Sequence, residues 1–374
     1  MANIPLFEID WEESDLKHVT NSIQRGSYWT KGPYVDKLEE TLEEYLGVSH
    51  ALTVNSGTTA LVAALKAMGV SNGDEVIVPS FTFIATANAV KLAGGTPVFA
   101  DIEEETYGLD PVSVKAKITD RTKAILPVHV YGAASQIEAI CQIAEEHKIA
   151  VLEDNAEALG AEYNGQKLGS FGKAATLSFC QNKIVATGDG GAVVTDDDEL
   201  ARQIKLYRSH GRATKNYFDR AESGSYVDVG TNIRMSDITA ALGYSQMNRV
   251  DTLIDKRQSV AEKYTKQFEE IQGVKPHAPS QGATHVYQLY TIELDSTIER
   301  NKVITALSEQ DIASKVYWDP PVHQTEYYRE SLEEIPDLPV TEDIASRVLS
   351  LPMHPNLSEE EIAQVVGTIE DVVS

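Results

Sequence analysis

The stretch Thr176-Leu-Ser-Phe-Cys-Gln-Asn-Lys183-Ile-Val-Ala-Thr-Gly188-Asp-Gly190-Gly191-Ala-Val-Val-Thr195 joins two short apolar strand patterns through a lysine and a glycine cluster. Burying a lysine ammonium at the end of a core strand costs free energy unless the amine is paired or covalently used. A lysine amine also forms a Schiff base with an aldehyde cofactor, and the glycines let the backbone pass close to a ligand. On its own, however, the stretch is also typical of a hairpin whose lysine points into water.

Outward from this stretch, the sequence alternates between strand and helix. Strand patterns lie at 51–54, 75–78, 97–100, 124–130, 149–152, 176–179 and 192–195. Helical patterns lie at 12–25, 34–46, 59–68, 83–92, 112–118 and 137–147. Such alternation predicts an α/β fold with a mainly parallel sheet, in which ligands bind beyond the carboxyl ends of the strands.

After Thr195 the alternation stops. The pattern predicts a helix over 197–209, a polar loop over 211–232 and one long helix from about Ser236 into the 260s. Strand patterns at 285–294 and 314–318 and helical patterns at 298–309 and 359–373 predict a smaller α+β unit. We therefore expect an N-terminal arm and large domain over 1–248 and a small C-terminal domain over 249–374.

The composition excludes several classes of function. The 374 residues carry 32 basic and 57 acidic side chains, a net charge of −25 that repels nucleic acid and anionic membranes. Only two cysteines occur, and no metal-ligand spacing or secretory signal is visible, so we expect a cytoplasmic protein without a structural metal. A polyanionic substrate would need a local cluster of cations.

Two strand ends carry residues suited to a phosphate and a flat ring. Asn55-Ser56-Gly57-Thr58 follows the first strand, where a helix N-terminus offers free N–H groups to a phosphate; the alternative is an ordinary helix cap at Ser56 or Thr58. Phe83 follows the second strand and could lie over a ring, although aromatics near strands more often belong to the core.

The fifth strand ends in Glu153-Asp154-Asn155-Ala156-Glu157. A carboxylate there can pair with a protonated pyridine nitrogen, and Glu157 can reach a hydroxyl on the same ring; the alternative is a helix N-terminus with favourable acids. A phosphate cradle, an aromatic, an acid and Lys183 thus occur in order at strand ends. One pyridoxal phosphate (PLP) site explains all four.

The motifs resemble the nucleotide-sugar aminotransferases, the DegT-like branch of the fold type I PLP enzymes. They are Ser56-Gly57-Thr58-x-Ala60-Leu61, Pro79-Ser80-Phe81-Thr82-Phe83, Val128-His129-x-Tyr131-Gly132, Glu153-Asp154-x-Ala156-Glu157-Ala158, Ser178-Phe179-x3-Lys183, Gly230-x-Asn232-x-Arg234-Met235 and Leu351-Pro352-Met353-His354-Pro355. The resemblance covers nearly the whole chain. It implies a large domain with a mostly parallel seven-stranded sheet and a smaller C-terminal α+β domain.

The resemblance also implies roles for single residues. Lys183 would form the Schiff base with PLP and act as the general base, Asp154 would hold the ring nitrogen and Glu157 would contact the ring hydroxyl. Phe83 would stack on the ring. The phosphate ligands would be Gly57, Thr58 and Ser178, with Asn232 contributed by the partner subunit of a homodimer. The amino donor would be L-glutamate, released as 2-oxoglutarate, with pyridoxamine phosphate (PMP) as the intermediate form of the cofactor.

Two details bear on the acceptor, a nucleotide-diphosphate keto sugar. Glu157 and Asn182 resemble the 4-keto-6-deoxysugar 4-aminotransferases, such as GDP-perosamine synthase. Tyr317-Trp318-Asp319-Pro320 stands where enzymes acting on 3-keto sugars often have His-Tyr-Pro. Both details favour a 4-keto sugar. A 3-keto aminotransferase and a PLP-binding regulator without turnover remain as alternatives.

The substrate ligands are chosen only by their position in the sequence. Arg212, Arg234 and Lys315 are candidates for binding the diphosphate, although each could serve only surface solubility. Tyr317 and His323 are candidates for facing the sugar, although a lone histidine is more often structural.

Overall fold

A computed structural model describes residues 3–214 and 223–374. The strands are β1 (His50–Val54), β2 (Glu75–Pro79), β3 (Thr96–Ala100), β4 (Thr122–Ile125), β5 (Ala150–Asp154), β6 (Glu162–Tyr163), β7 (Gln166–Lys167), β8 (Ala174–Ser178), β9 (Gly191–Thr195), β10 (Val274–Pro276), β11 (Tyr290–Leu294) and β12 (Val348–Leu351).

The helices alternate with these strands in the first half of the chain and dominate the second half. They are α1 (Glu13–Gln24), α2 (Pro33–Leu46), α3 (Gly57–Ala67), α4 (Ala85–Ala93), α5 (Pro111–Lys117), α6 (Ile137–His147), α7 (Asp198–Tyr207), α8 (Asp237–Met247), α9 (Val250–Phe268), α10 (Arg300–Glu309), α11 (Glu326–Ser331), α12 (Pro339–Arg347) and α13 (Glu359–Val373).

The central sheet has seven strands in the order β1-β9-β8-β5-β4-β2-β3. β9 runs antiparallel to both of its neighbours, and the β2–β3, β2–β4, β4–β5 and β5–β8 pairs are parallel. The seven strands are those that the sequence predicts, although β4 ends at Ile125 and not at residue 130. The prediction of a mostly parallel seven-stranded sheet is confirmed.

Both faces of this sheet are buried. In β2, Val76 and Val78 belong to one hydrophobic cluster with residues of α3, α4 and α7. Ile77, between them, belongs to a second cluster with residues of α2, α6 and α8. Because successive strand residues point to opposite faces, the continuous apolar runs are those of a sheet covered on both sides. The polar strand-end residues therefore lie at the edge of this core.

The C-terminal unit has its own core. Its three-stranded antiparallel sheet, in the order β10-β11-β12, packs with the second half of α9, α10 and α13. Ile4 belongs to this core and forms a bridge with Ile312, while Val250 and Leu253 of α9 belong to the core of the large sheet. The N-terminal residues and α9 thus connect the two units, and a domain boundary at 248/249 stays a prediction.

Two predictions about the second half of the chain are wrong. The long helix from Ser236 is two helices, because the chain turns at Asn248 and Arg249, where the Arg249 guanidinium pairs with Asp10 and Asp15 of the N-terminal segment. No strand forms over 314–318; Lys315 makes only an isolated bridge with Ser350.

Among the described residues, no helix combines the length and the apolar composition needed to cross a bilayer.

Candidate active site

The N-terminus of α3 lies against the end of β8. Ser56 caps the helix by accepting a hydrogen bond from the N–H of Thr59 at 3.2 Å. The N–H groups of Gly57 and Thr58 find no acceptor within 3–214 and 223–374. A Cβ atom added at Gly57 would lie 2.9 Å from the Cβ of Ser178. The cap and the phosphate cradle are therefore compatible, because the cap leaves two N–H groups free beside the Ser178 hydroxyl.

The glycine cluster after Lys183 serves this arrangement. A Cβ atom added at Gly191 would lie 2.7 Å from the nitrogen of Gly57, and one at Gly190 would lie 2.6 Å from the hydroxyl oxygen of Thr187. Gly191 thus allows β9 to pack closely against the start of α3, whereas Gly190 allows the lysine loop to pack against Thr187, Phe179 and Met235. That these glycines let the backbone pass close to a ligand stays a prediction.

Lys183 and Glu157 form an ion pair. The Nζ of Lys183 lies 3.0 Å from Oε1 of Glu157, and their side chains are only 14% and 12% exposed. Oε2 of Glu157 accepts the N–H of Tyr131 at 3.0 Å. Two residues that are 26 positions apart in the sequence are thus held together at the carboxyl ends of β5 and β8.

Asp154 is the last residue of β5 and is 5% exposed. Its Oδ2 accepts the hydroxyl of Thr86 at 2.9 Å, and its Oδ1 accepts the N–H of Ala156 at 3.3 Å. Burial raises the pKa of Asp154, although these two hydrogen bonds and the charge of Lys183 act in the opposite direction. A buried carboxylate with no cation within ion-pair distance among the described residues fits a protonated ring nitrogen.

Phe83 is 59% exposed, whereas Phe81, two residues earlier, is fully buried. The carbonyl of Phe83 accepts the N–H of Thr86 at 3.1 Å, which places Phe83 in the turn that leads to the Asp154 contact. Phe83 is therefore not a core residue, and its ring is free to cover a ligand.

The predicted phosphate residue Asn232 is exposed and lies in a segment beside the start of α3. The carbonyl of the next residue, Ile233, accepts the N–H of Asn55 at 2.8 Å, and Arg234 bridges to Val54. This segment therefore runs past the strand end from which the phosphate cradle begins.

Arg212 and Arg234 line a groove of about 860 Å³. The cations in its wall are Lys31, Arg202, Lys205, Arg208, Arg212 and Arg234, and the acids are Asp36 and Glu39. Burial, followed by the charges of Arg212 and Arg208, lowers the pKa of Arg234. Within the described ranges, the lining does not include Lys183, Asp154 or Glu157, so one protomer brings these arginines together but not against the lysine.

The other three substrate candidates lie in different environments. Burial, followed by the charge of nearby Glu157, raises the pKa of the Tyr317 phenol. Lys315 is exposed. His323 is fully buried, with Nδ1 2.6 Å from the Ser80 hydroxyl and Nε2 3.2 Å from Glu342. Both ring nitrogens of His323 serve the fold, so we leave this residue out of the substrate site.

Sequence reasoning missed two residues of the site, Thr86 and Tyr131. Thr86 lies three residues after Phe83 near the start of α4, a spacing that could have pointed to it. Tyr131 belongs to a motif of the family, yet its contribution is a backbone N–H that the side chain does not reveal.

This geometry agrees with what comparisons with known proteins find. A model of the DegT/DnrJ/EryC1/StrS aminotransferase family matches residues 10–370. The chain belongs to this family.

Individual relatives match this chain over most of their length as well as in sequence. GDP-perosamine synthase of Caulobacter vibrioides is 39% identical over 91% of this chain and 91% of its own. A UDP-N-acetyl-3-dehydro-alpha-D-glucosamine 3-aminotransferase of Acidithiobacillus ferrooxidans is 40% identical over 89% of this chain and 86% of its own. A putative sugar aminotransferase of Streptococcus pneumoniae, solved in its PLP form, superposes with a TM-score of 0.93 at 27% identity, covering 99% of this chain and 98% of that one.

Three predictions are thereby confirmed. The fold is that of the PLP-dependent aminotransferases, the protein is a sugar aminotransferase, and its cofactor is PLP. The residues described above fit this cofactor: a buried acid, a lysine at a strand end and free N–H groups at a helix start.

Proposed function

We propose that this aminotransferase moves an amino group from L-glutamate to the C4 ketone of a nucleotide-linked 4-keto-6-deoxy sugar. The observation that carries the proposal is the 3.0 Å pair between Lys183 and Glu157. A glutamate at this position, with Asn182 before the lysine, is the combination that resembles the 4-aminotransferases. The similarity to GDP-perosamine synthase supports the same acceptor.

PLP supplies an aldehyde that takes up an amino group and a protonated ring that accepts electrons. Asp154 would hold the ring nitrogen, and the N–H groups of Gly57 and Thr58 with the Ser178 hydroxyl would hold the phosphate. Phe83 would cover one face of the ring. These contacts would orient the bound cofactor toward Lys183.

Lys183 would then act through its Nζ atom. Glu157, which holds Nζ through Oε1, would contact the ring hydroxyl when the cofactor is bound. The free Nζ would be the base that moves the α-proton of L-glutamate. Glu157 keeps its second oxygen on the N–H of Tyr131, so the carboxylate stays oriented.

The substrate diphosphate requires local positive charge in a chain with a net charge of −25. The groove that contains Arg212 and Arg234 supplies such a field, and we infer that these two residues bind the diphosphate. Tyr317, beside Glu157, would face the sugar, while Lys315 is a weaker candidate because it is exposed away from the groove lining.

We further propose a homodimer in which Asn232 completes the phosphate site of the partner. The exposure of Asn232 beside its own cradle supports this arrangement. So do the exposed apolar side chains near the N-terminus, which are Ile9, Trp11, Leu16, Ile23, Tyr28 and Trp29. We also propose a cytoplasmic location, because Cys141 and Cys180 are both unpaired, as is usual for cysteines in a reducing compartment.

The alternative acceptor is a 3-keto nucleotide sugar, which the similarity to a 3-aminotransferase favours. Matched 3-keto and 4-keto nucleotide sugars, each assayed with L-glutamate, separate the two. We expect kcat/KM for a 4-keto sugar to exceed that of its 3-keto partner by about 10⁴-fold, as when a site is built to hydrogen-bond one polar group. A faster 3-keto reaction would contradict the proposal. If the loaded protein failed to release 2-oxoglutarate, a PLP-binding regulator would be the better description.

A further inference from the structure

Gln288 lies just before β11, in the C-terminal unit, yet its side chain reaches the lysine loop of the large unit. The residue is 2% exposed. Its Oε1 accepts the N–H of Ile184 at 3.1 Å, and its Nε2 donates to the carbonyl of Asn182 at 2.6 Å. One amide thus binds the backbone on both sides of Lys183. The partners fix its orientation, because an N–H requires the amide oxygen and a carbonyl requires the amide nitrogen.

The backbone of the same segment holds the other member of the ion pair. The N–H of Leu289 donates to the carbonyl of Tyr131 at 3.2 Å, and the N–H of Tyr131 donates to Glu157. A Cβ atom added at Gly132, where φ is +107°, would lie 2.9 Å from the nitrogen of Gln288. Gly132 is therefore needed for this close approach. Residues 288–289 therefore form hydrogen bonds both with the loop that contains Lys183 and with Tyr131, whose N–H donates to Glu157.

Arg257 of α9 holds this segment in place from the opposite side. Its guanidinium is buried and donates to the carbonyls of Tyr287, Gln288 and Met353 at 3.0, 3.4 and 3.4 Å. Burial lowers the pKa of Arg257 to about 10, and the group stays charged near neutral pH. Because hydrogen bonds are what offset the cost of burying this cation, moving one of the three carbonyls away would leave the charge less well satisfied.

We propose that Gln288 is a positioning residue for Lys183. It clamps the peptide groups before and after the lysine and so sets the direction and reach of the amine toward Glu157 and the cofactor. The inference rests on Lys183 as the amine that binds PLP, and it does not depend on which sugar is the acceptor. The clamp also joins the two structural units at the reacting residue.

Two uncharged substitutions remove the clamp with different side-chain shapes. Gln288→Leu removes both hydrogen bonds. Gln288→Met keeps the length of the side chain, but it has no donor for the carbonyl of Asn182 and only a weak acceptor for the N–H of Ile184. The control is Gln258→Leu, because the Nε2 of Gln258 donates at 3.0 Å to the carbonyl of His285 in the neighbouring part of the same segment, without touching the lysine loop.

Three measurements on the PLP-loaded proteins test the clamp. In Gln288→Leu, amide hydrogen exchange at Ile184 should accelerate about tenfold or more, the size of one lost buried hydrogen bond. The midpoint of the pH titration of the visible PLP band should shift, and kcat for L-glutamate should fall about tenfold while KM changes less than about twofold. Gln288→Met should change the exchange and the titration in the same direction as Gln288→Leu.

The proposal is overturned if Gln288→Leu leaves both the exchange at Ile184 and the band titration unchanged. It is also overturned if Gln258→Leu produces the same changes, since the effect would then come from general loosening of the segment. Should Gln288→Leu fail to fold, the band titration of Gln288→Met decides: a shift supports the clamp, and an unchanged midpoint rejects it. The exchange and the titration require no sugar, so an error in the proposed acceptor would not affect them.

Discussion

At the scale of single residues, Asp154 is proposed to keep the cofactor ring charged. Burial raises the pKa of this carboxyl, so the cofactor-free folded protein binds the proton more tightly than the unfolded chain does. Its ionisation therefore lowers stability as pH rises from the unfolded pKa, about 3.9, through the raised folded pKa. At pH values above the folded pKa, the buried charge of Asp154 lowers the stability by its full amount, unless a cation such as the ring nitrogen offsets it.

Asp154→Asn should thus have opposite effects on stability and on function. The amide can keep the contacts with Thr86 and Ala156 while removing the buried charge, so the cofactor-free variant should melt about 1–2 °C higher at pH 7, equivalent to roughly 1 kcal/mol for a chain of 374 residues. Turnover should fall about 100-fold or more, because the ring nitrogen loses its counter-charge. Calorimetry and a glutamate assay provide the two readouts.

Asp371→Asn, at an exposed position of α13, is the matched control and should change neither value. A variant at Asp154 that melts lower and keeps normal turnover would argue against the assigned role.

The residues found from sequence and those missed differ in a physical way. The sequence predicts roles for Asp154, Glu157 and Lys183 because a charged side chain soon after an apolar strand is costly to bury without a partner. Thr86 and Gln288 are uncharged, and their partners lie 68 and 104–106 positions away. The spacing from Phe83 points to Thr86, but no local pattern points to Gln288, because its contacts depend on how the loops pack.

At the scale of elements, the start of α3 is the part of the site most sensitive to backbone position. Gly57→Ala would place a Cβ atom 2.9 Å from that of Ser178 and push the helix away from β8. The helix itself should persist, since alanine favours helix more than glycine does. Affinity for PLP should therefore fall about tenfold or more, as expected for losing a hydrogen bond to a charged group.

Equilibrium dialysis against PLP measures this loss. Gly367→Ala in α13 is the matched control, because nothing lies within 4 Å of its added Cβ, and this variant should bind PLP as the wild type does. Unchanged affinity in Gly57→Ala would mean that the phosphate is held elsewhere.

The ends of the helices show how far the apolar pattern of the sequence predicts the structure. The helices 137–147 and 359–373 were predicted to the residue, since their apolar periodicity ends where their packing ends. The break between α8 and α9 was missed because the apolar pattern continues across it. Its cause is tertiary: Arg249 pairs with Asp10, 239 positions away.

At the scale of the whole molecule, the parallel sheet follows from alternating patterns, whereas the pairing of β1 with β9 does not. That pairing brings the phosphate cradle beside the lysine loop, and β5 brings Asp154 into the same edge. The N-terminal residues pair with the C-terminal unit through Ile4, and Gln288 reaches back to Lys183. The small unit therefore takes part in the site instead of only covering it.

Attachment of PLP to Lys183 is the claim on which all the roles above depend. Wild-type protein, Lys183→Ala and the control Lys173→Ala, whose lysine forms a half-exposed pair with Asp197 at 3.2 Å, can each be mixed with PLP and reduced with borohydride before intact-mass and peptide analysis. We predict a visible absorption band and one covalent pyridoxyl group on Lys183 in the wild type and the control, and neither in Lys183→Ala. A Lys183→Ala protein that kept the band, or a label on another lysine in the wild type, would contradict the account.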